Sequence, residues 1–252
     1  MSVPRVAATA SGRFSAAGGG AACGLALLMS LMPVIGQGQI PAADKPDALA
    51  SLDSAELKEY RGLRRMHAAN DKLDQEAWMD VWTELDPSGF RYQILSERGS
   101  EYVRTRVLKR VLERERELIA AGGARRAALT TDNYQFQEAA PSSTGLRHVL
   151  MKPRRKDVLL VDGRMVLNPS GTELLRVEGR LARNPSFWTS LVNVIREFAT
   201  VDGVRVPIST ESIARVKFAG LSRMMVRYEY ESINGRPVSS SARRIASATG
   251  AR

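Results

Sequence analysis

Repeated alternation of apolar and polar residues constrains the fold of this chain more than any other feature of its sequence. A period of two is typical of β-strands that bury one face. The first clear segment runs from Ala77 to Leu85, the turn sequence Asp86-Pro87-Ser88-Gly89 follows, and alternation resumes from Phe90 to Ile94. These residues therefore predict a β-hairpin.

Further segments with strand character continue as far as the turn sequence Asn234-Gly235. Asp162-Gly163 lies between two of them and predicts a two-residue hairpin turn. Strands joined by tight turns pair antiparallel, and about ten strands in one sheet make that sheet curl. The segments are 133–138, 146–151, 157–161, 164–167, 175–181, 187–200, 204–207, 213–218 and 223–231.

One stretch changes from the strand period to the helical period. Ser100 precedes a segment with apolar residues three and four apart and charges on the other face, and Gly122-Gly123 ends it. This pattern predicts an amphipathic helix of about twenty residues, 101–120. The predicted fold is mainly β: a curved antiparallel sheet forming an unclosed barrel, with the helix packed in its concave side. The apolar helix residues are Val103, Val107, Leu108, Val111 and Leu112.

The N-terminal residues are typical of a secretory signal. Arg5 and Arg13 precede a short apolar run, and small residues follow it, so we predict a signal peptide over 1–38 and a periplasmic mature protein. A retained membrane anchor is the alternative, but the run is interrupted and shorter than the about 20 residues that a spanning helix needs. Ala21-Ala22-Cys23 resembles the end of a lipoprotein signal. In a lipoprotein signal, however, the apolar run precedes the cysteine, whereas in this chain the run follows Cys23.

The rest of the chain divides into a linker at 39–55, a β domain at 56–236 and a disordered tail at 237–252. Asp53-Ser54-Ala55-Glu56 resembles a capping box and predicts a short helix. No clear period follows before Trp78. The tail is predicted to be disordered because it has too little apolar surface to pack.

The residue inventory leaves little room for catalysis. The chain has one cysteine and two histidines, His67 and His148, and carries none of the common nucleophile, zinc or phosphate-loop motifs. Glu178 is a lone carboxylate between Arg176 and Arg180, which favours an ion pair across strands. We therefore expect a protein that is not an enzyme, with no catalytic residues, no cofactor and no metal.

The order of elements resembles the superfamily of periplasmic lipoprotein carriers that includes LolA, LolB and RseB. The segments DVLLVDGRMVLNPSGTELLRVEGRLARNPSFW and DGVRVPISTESIARVKFAGLSRMMVRYEYESING are similar to uncharacterised envelope proteins of the lipoprotein-sorting type. The resemblance implies an unclosed barrel whose hollow takes an acyl chain under a helical lid. It also implies an arginine on an early strand that holds the lid closed, for which Arg64, Arg65 and Arg91 are candidates.

If such a hollow exists, aromatic and methionine side chains suit its lining because they adapt to irregular shapes. The alternative for each residue is ordinary core packing under the helix. The lid is the predicted helix, with its five apolar residues facing the hollow. The candidate lining residues are Tyr92, Tyr134, Phe136, Met224, Val226 and Tyr228.

Two surface features suggest contacts with other molecules. The basic run Lys152-Pro153-Arg154-Arg155-Lys156 is suited to anionic lipid headgroups or to nucleic acid, or it is a solvated turn. Export argues against nucleic acid as the partner. Phe187-Trp188 either contacts a partner at the rim of the barrel or packs into the core at the end of a strand.

The function predicted from sequence is noncovalent binding of a lipid, an acylated protein or another amphiphile. Two alternatives remain open. The same fold as a regulatory module would bind another envelope protein, as the resemblance to RseB allows. A hydrolase with an unrecognised site is the other.

Overall fold

A computed structural model describes Leu52, residues 54–140 and residues 143–239. The predicted signal peptide, nearly all of the predicted linker and most of the predicted tail lie outside these residues. The strands are β1 Tyr60–Asn70, β2 Gln75–Asp86, β3 Gly89–Gly99, β4 Tyr134–Glu138, β5 Arg147–Pro153, β6 Val161–Leu167, β7 Leu174–Leu181, β8 Thr189–Val201, β9 Val204–Val216, β10 Gly220–Ile233 and β11 Arg236–Pro237.

All of these strands belong to one antiparallel sheet. Its order is β3-β2-β1-β10-β9-β8-β7-β6-β5-β4, and the short β11 pairs with β10. Strands β3 and β4 form its two edges and the sheet is not closed, which confirms the predicted fold class. Within the described part of the chain, the only sheet neighbours that are far apart in sequence are β1 and β10, so the N-terminal hairpin packs beside the last long strand.

The long helix is also confirmed. Helix α1 consists of Glu101–Val103, a π-helical turn at Arg104–Leu108 and Lys109–Ala120, and a short helix α2, Ala124–Ala127, follows. The Ser100 hydroxyl accepts a hydrogen bond from the Val103 amide at 3.4 Å, as expected of an N-cap. No helix among the described residues has both the length and the apolar character needed to cross a membrane.

Strand β1 was not predicted, and its buried face explains why. Residues alternate between buried and exposed along all of β1, and its buried positions include Arg64 and Asn70. Polar residues at buried positions remove the apolar alternation by which a strand is recognised from sequence.

Three local predictions were wrong. No helix forms at Ser54–Glu56, where the Ala55 amide instead donates to the Gly203 carbonyl at 2.8 Å beside a parallel bridge to Val204. The hairpin predicted from 157–161 and 164–167 does not form, because residues 157–160 are not a strand and Asp162-Gly163 lies inside the single strand β6. The segments predicted at 204–207 and 213–218 form the single strand β9.

The ends of two predicted elements also differ from the structure. Strand β8 begins at Thr189, so Phe187-Trp188 precedes the strand instead of opening it. At the C-terminal end, β11 extends to Pro237 and Val238 still packs in the core. The ordered domain therefore continues a few residues into the predicted tail.

Gly163 is needed for close strand contact. It pairs with Gly179 across β6 and β7, and a Cβ at Gly163 would lie 2.0 Å from the Glu178 carbonyl oxygen. Two facing glycines therefore let the strands approach where side chains would collide.

We expect Gly163→Ala to destabilise the protein by about 2–4 kcal/mol, because backbone has to move to admit the methyl group. Gly122→Ala is the control, since Gly122 has a φ of 66° and nothing within 4 Å of its Cβ position. Gly122→Ala should lower the free energy of unfolding by only about 1 kcal/mol, which is the cost of a side chain in the left-handed region. Urea denaturation followed by circular dichroism measures both, and equal losses would contradict the close-contact explanation.

Candidate functional site: the sheet face under helix α1

A buried ion pair joins helix α1 to the sheet. Arg64 of β1 donates from Nη1 to Glu115 Oε2 at 2.5 Å and from Nη2 to Glu115 Oε1 at 2.9 Å. The side chains are only 3% and 5% exposed. This bidentate geometry gives the strongest interaction between an arginine and a carboxylate.

Aromatic rings surround the Arg64 guanidinium. Its Cζ lies 5.0 Å from the Phe90 ring centroid, 5.1 Å from that of Tyr228 and 5.8 Å from that of Tyr60. Arg64 Nη2 also donates to the Tyr60 hydroxyl. Cation–π contacts of this kind gain strength where water is excluded, so the rings help to stabilise the buried charge.

The protonation states follow from these contacts. Burial lowers the pKa of Arg64, but the charge and hydrogen bond of Glu115, together with the neighbouring Tyr60 and Tyr228, raise it well above its usual value. Burial raises the pKa of Tyr60 to about 12, although the Arg64 charge acts in the opposite direction. The site therefore holds a charged arginine beside a neutral phenol at physiological pH.

Helix α1 is also attached at the edge of the sheet. Glu97 on β3 forms ion pairs with Arg104 at 2.9 Å and with Lys109 at 3.0 Å. Arg116 lies over the Tyr92 ring at 5.7 Å. These contacts are partly exposed and therefore weaker than the buried pair.

The predicted lid residues all face the sheet. Val103, Val107, Leu108, Val111 and Leu112 are each at most 5% exposed and belong to one hydrophobic cluster. Val107 and Leu108 lie in the π-helical turn, and both are buried.

The predicted lining residues divide between two clusters. Met224, Val226 and Tyr228 of β10 are buried in the cluster under helix α1, and Tyr92 packs against it. Tyr134 is buried in a second cluster on β4–β9, and Phe136 packs against that one. The structure thus brings four of the six together with the helix and places the other two elsewhere.

Polar side chains lie on the buried face between the two clusters. Thr210 pairs with Val226 and Ser212 pairs with Met224, so both hydroxyls share the face of the β10 core residues. Both residues are 1% exposed. The hydroxyl oxygens of Thr210, Ser212 and Tyr228 have no hydrogen-bond partner among the described residues. Buried hydroxyls without partners are costly, so this strip is suited to a polar group from outside the chain.

The three candidate arginines have different environments. Arg64 alone is buried beneath the helix. Arg65 faces the opposite side of the sheet and pairs with Glu229 at 3.2 Å, while Arg91 pairs with Asp86 in the β2–β3 turn region. Sequence reasoning missed Glu115, although its spacing of four from Val111 placed a carboxylate on the apolar side of the helix.

The remaining candidates have ordinary surface contacts. Glu178 pairs with Arg164 at 2.5 Å and with Arg176 at 3.4 Å, as predicted for an ion pair across strands. His67 lies 3.3 Å from Glu76 and stacks on Trp78. Among the described residues, no group of three or more His, Cys, Asp and Glu side chains could hold a metal ion.

Comparisons with known proteins add no assignment. No family model matches the chain, and no curated protein is significantly similar to it.

Three buried tyrosines should titrate late. Burial raises the pKa of Tyr60 and that of Tyr134 to about 12 each, and it raises the pKa of Tyr230 well above its usual value. Tyrosine in an unfolded chain titrates near pH 10. The stability that these phenols contribute is therefore complete below about pH 10 and is lost as pH rises toward 12.

Phenolate absorbance as a function of pH tests this expectation. Tyr60→Phe should remove about one tyrosine from the late-ionising fraction, and the denatured protein should show a single transition near pH 10. An unchanged late fraction in Tyr60→Phe would show that the Tyr60 phenol is not held in its neutral form.

The ion pair should be costly to break and inexpensive to replace. Glu115→Gln leaves a buried guanidinium without its counter-charge and should cost about 3–5 kcal/mol of unfolding free energy. The double variant Arg64→Met/Glu115→Leu should lie within about 2 kcal/mol of the wild type, because apolar groups can substitute for a buried pair. Urea denaturation measures each.

Arg114→Ala provides the control on the same helix. Arg114 and Glu117 form an ion pair on the outer side of α1, where both side chains are 53% exposed. Exposed pairs contribute little, so this variant should unfold like the wild type. A single variant at Glu115 that is as stable as the double variant would contradict the buried-pair account.

Proposed function

We propose that the protein binds a lipid, an acylated protein or another amphiphile on the sheet face beneath helix α1. In this proposal the helix is a lid, and the Arg64–Glu115 pair holds it closed. The observation that carries the proposal is the position of this pair: two charges buried in an otherwise apolar helix–sheet interface.

A buried ion pair suits a reversible contact better than a permanent one. Apolar residues of similar size often give equal or greater stability at such positions. When the helix moves outward, both ions regain their hydration, which offsets much of the interaction that is lost. The pair therefore specifies the closed position of the helix and lowers the cost of opening it, compared with an interface that is apolar throughout.

Opening would uncover apolar surface on both the helix and the sheet. An acyl chain can cover that surface in place of the helix, gaining about 0.8 kcal/mol for each buried methylene group. A sixteen-carbon chain would gain about 12 kcal/mol before any costs. The hydroxyls of Thr210, Ser212 and Tyr228 offer hydrogen bonds to the polar group of the amphiphile.

The remainder of the proposal follows from the sequence. The N-terminal residues favour export to the periplasm, and the order of elements resembles the lipoprotein carriers, in which a helical lid covers a hollow. Binding needs no chemical step, so we propose a carrier or binding protein instead of an enzyme. No cofactor has a role in this mechanism.

A fluorescent fatty acid tests the lid directly. Glu115→Gln should take up the probe faster than the wild type, because the closed position has lost its counter-charge. Arg64→Met/Glu115→Leu should take it up more slowly, because its helix–sheet interface is wholly apolar. Arg114→Ala should match the wild type, and stopped-flow fluorescence gives the four rates.

The order of these rates distinguishes the lid from simple stability. If the probe bound only to unfolded protein, the uptake rates would follow the stabilities of the variants in urea. The double variant would then take up the probe at about the wild-type rate. Failure of the wild type to bind fatty acids, lysophospholipids and lipopeptides would remove the carrier proposal.

A regulatory module that binds another envelope protein is the second candidate function. A groove of about 530 Å³ on the opposite face of the sheet supports it. Trp78 lies there between His67, with ring centroids 4.6 Å apart, and Arg98, with Cζ 4.1 Å from the indole centroid. Arg65 and Arg227 also line the groove, which suits an acidic segment of a protein.

Native mass spectrometry of the protein purified from its own compartment separates the two functions. A bound lipid mass that is lost on denaturation supports the carrier. A protein without bound lipid that also takes up no added amphiphile supports the regulatory module.

A further inference from the structure

An exposed aromatic cluster lies at one end of the sheet, away from the Arg64–Glu115 pair. Phe187 is 78% exposed and Phe218 is 81% exposed, and Trp188 lies between them. Its ring centroid is 5.6 Å from that of Phe187 and 6.0 Å from that of Phe218. Phe187 and Trp188 precede β8, and Phe218 is in the β9–β10 turn.

Hydrogen bonds fix the turns that carry these rings. The Lys217 amide donates to the Trp188 carbonyl at 2.7 Å. Asn70 Nδ2 donates to the Ala219 carbonyl at 3.0 Å and joins the β9–β10 turn to the β1–β2 turn, where Leu73 is 45% exposed. The apolar side chains are therefore presented by an ordered surface.

The backbone at Phe218 is strained. Its φ is 67°, in the left-handed region that favours glycine and disfavours a bulky side chain. Burial does not compensate for this strain, because the ring is almost fully exposed. A glycine would favour folding at this position, so the benzyl group is better explained by a contact outside the chain.

Basic residues surround the aromatic cluster. Lys217 Nζ lies 4.1 Å from the Phe187 ring centroid, and Arg183 and Arg215 are exposed on the adjoining strand ends. Next to the cluster is a groove of about 510 Å³. Its lining includes Leu191 of β8, the basic residues Lys152, Arg154, Arg155, Lys156 and Arg180, and Asp162, which pairs with Arg180 at 3.1 Å.

We propose that this end of the sheet docks on an anionic lipid bilayer. Phe187, Trp188 and Phe218 would insert at the level of the headgroups, where aromatic rings are favoured. Lys217 and the basic groove would bind lipid phosphates, since polybasic surfaces are attracted to anionic leaflets. Three exposed rings beside a basic groove favour a bilayer, which accepts aromatic rings at the headgroup level and cations at its phosphates.

This docking surface goes beyond the binding of an amphiphile under helix α1. It involves different strands and turns, and either property can exist without the other. The charges of the basic groove and the aromatic rings both contribute to the affinity for vesicles. Added salt screens only the charges, so it should lower this affinity without abolishing it.

Vesicle flotation tests the surface with three variants. Phe187→Ser/Phe218→Gly removes two rings and relieves the strain at residue 218. Lys152→Gln/Lys156→Gln removes two exposed charges that have no ion pair among the described residues. Leu95→Ser is the control, because Leu95 is 54% exposed on β3. All of them are compared in the same form of the chain, so any contribution from the N-terminal residues is equal in each.

We expect the wild type to bind vesicles of phosphatidylcholine with one third phosphatidylglycerol at least tenfold more tightly than vesicles of phosphatidylcholine alone. The aromatic variant should lose about tenfold in affinity, and the lysine variant should lose severalfold and depend less on salt. Leu95→Ser should match the wild type. The aromatic variant should also unfold at or above the wild-type temperature, which excludes misfolding as the cause.

Brominated lipids provide a second measurement. They quench a tryptophan that reaches the bilayer, so quenching of the wild type should be lost in Trp188→Phe, which leaves Trp78 and Trp82. The proposal is overturned if the aromatic variant binds anionic vesicles as tightly as the wild type, or if the wild type does not distinguish the two vesicle types. The molecule to identify would then be a protein that binds this surface without a membrane.

Discussion

The contact between Arg64 and Glu115 determines how the two parts of this molecule meet. One face of this open antiparallel sheet is apolar, and exposing it to water would be unfavourable. Helix α1 covers the part of that face formed by β1, β2, β3 and β10. The helix could sit there in several registers if the interface were apolar throughout. A two-pronged ion pair at 2.5 and 2.9 Å, enclosed by aromatic rings, selects one of them. The pair therefore contributes specificity of position more than stability.

The division of the buried face into two clusters follows from the order of the strands. Because β1 pairs with β10, strands β1–β3, β10, the helix and the residues at the β8–β9 turn form one cluster, while β4–β7 and the rest of β8 and β9 contribute to the other. Along β9, Thr210 and Ser212 lie between Val206 of the first cluster and Ala214 of the second. A helix over one cluster beside a polar strip is an arrangement suited to a ligand with an apolar chain and a polar end. The exposed rings of Phe187, Trp188 and Phe218 lie on a separate surface at the end of the sheet.

Local patterns predicted most of the strands and the helix, since alternation, turn residues and the Ser100 cap are read over a few neighbouring positions. Strand β1 could not be found in this way because arginine and asparagine occupy its buried face. Asp162-Gly163 was misassigned because the same dipeptide serves a hairpin turn or a close contact between strands, and only the pairing with Gly179 decides. The apolar residues of the site were predictable by type. Their distribution over two clusters was not, and neither was the Arg64–Glu115 pair, whose members are 51 residues apart in sequence.

Hydrogen exchange followed by mass spectrometry, with and without a lysophospholipid, tests the central claim most directly. The account predicts that the lipid increases exchange in the amides of residues 101–120, while β1, β2 and β10 beneath them stay equally or better protected. That pattern means that the helix leaves and the ligand covers the sheet in its place. Unchanged exchange in the helix at a lipid concentration that saturates binding would contradict the account, because the ligand would then occupy a site that needs no lid.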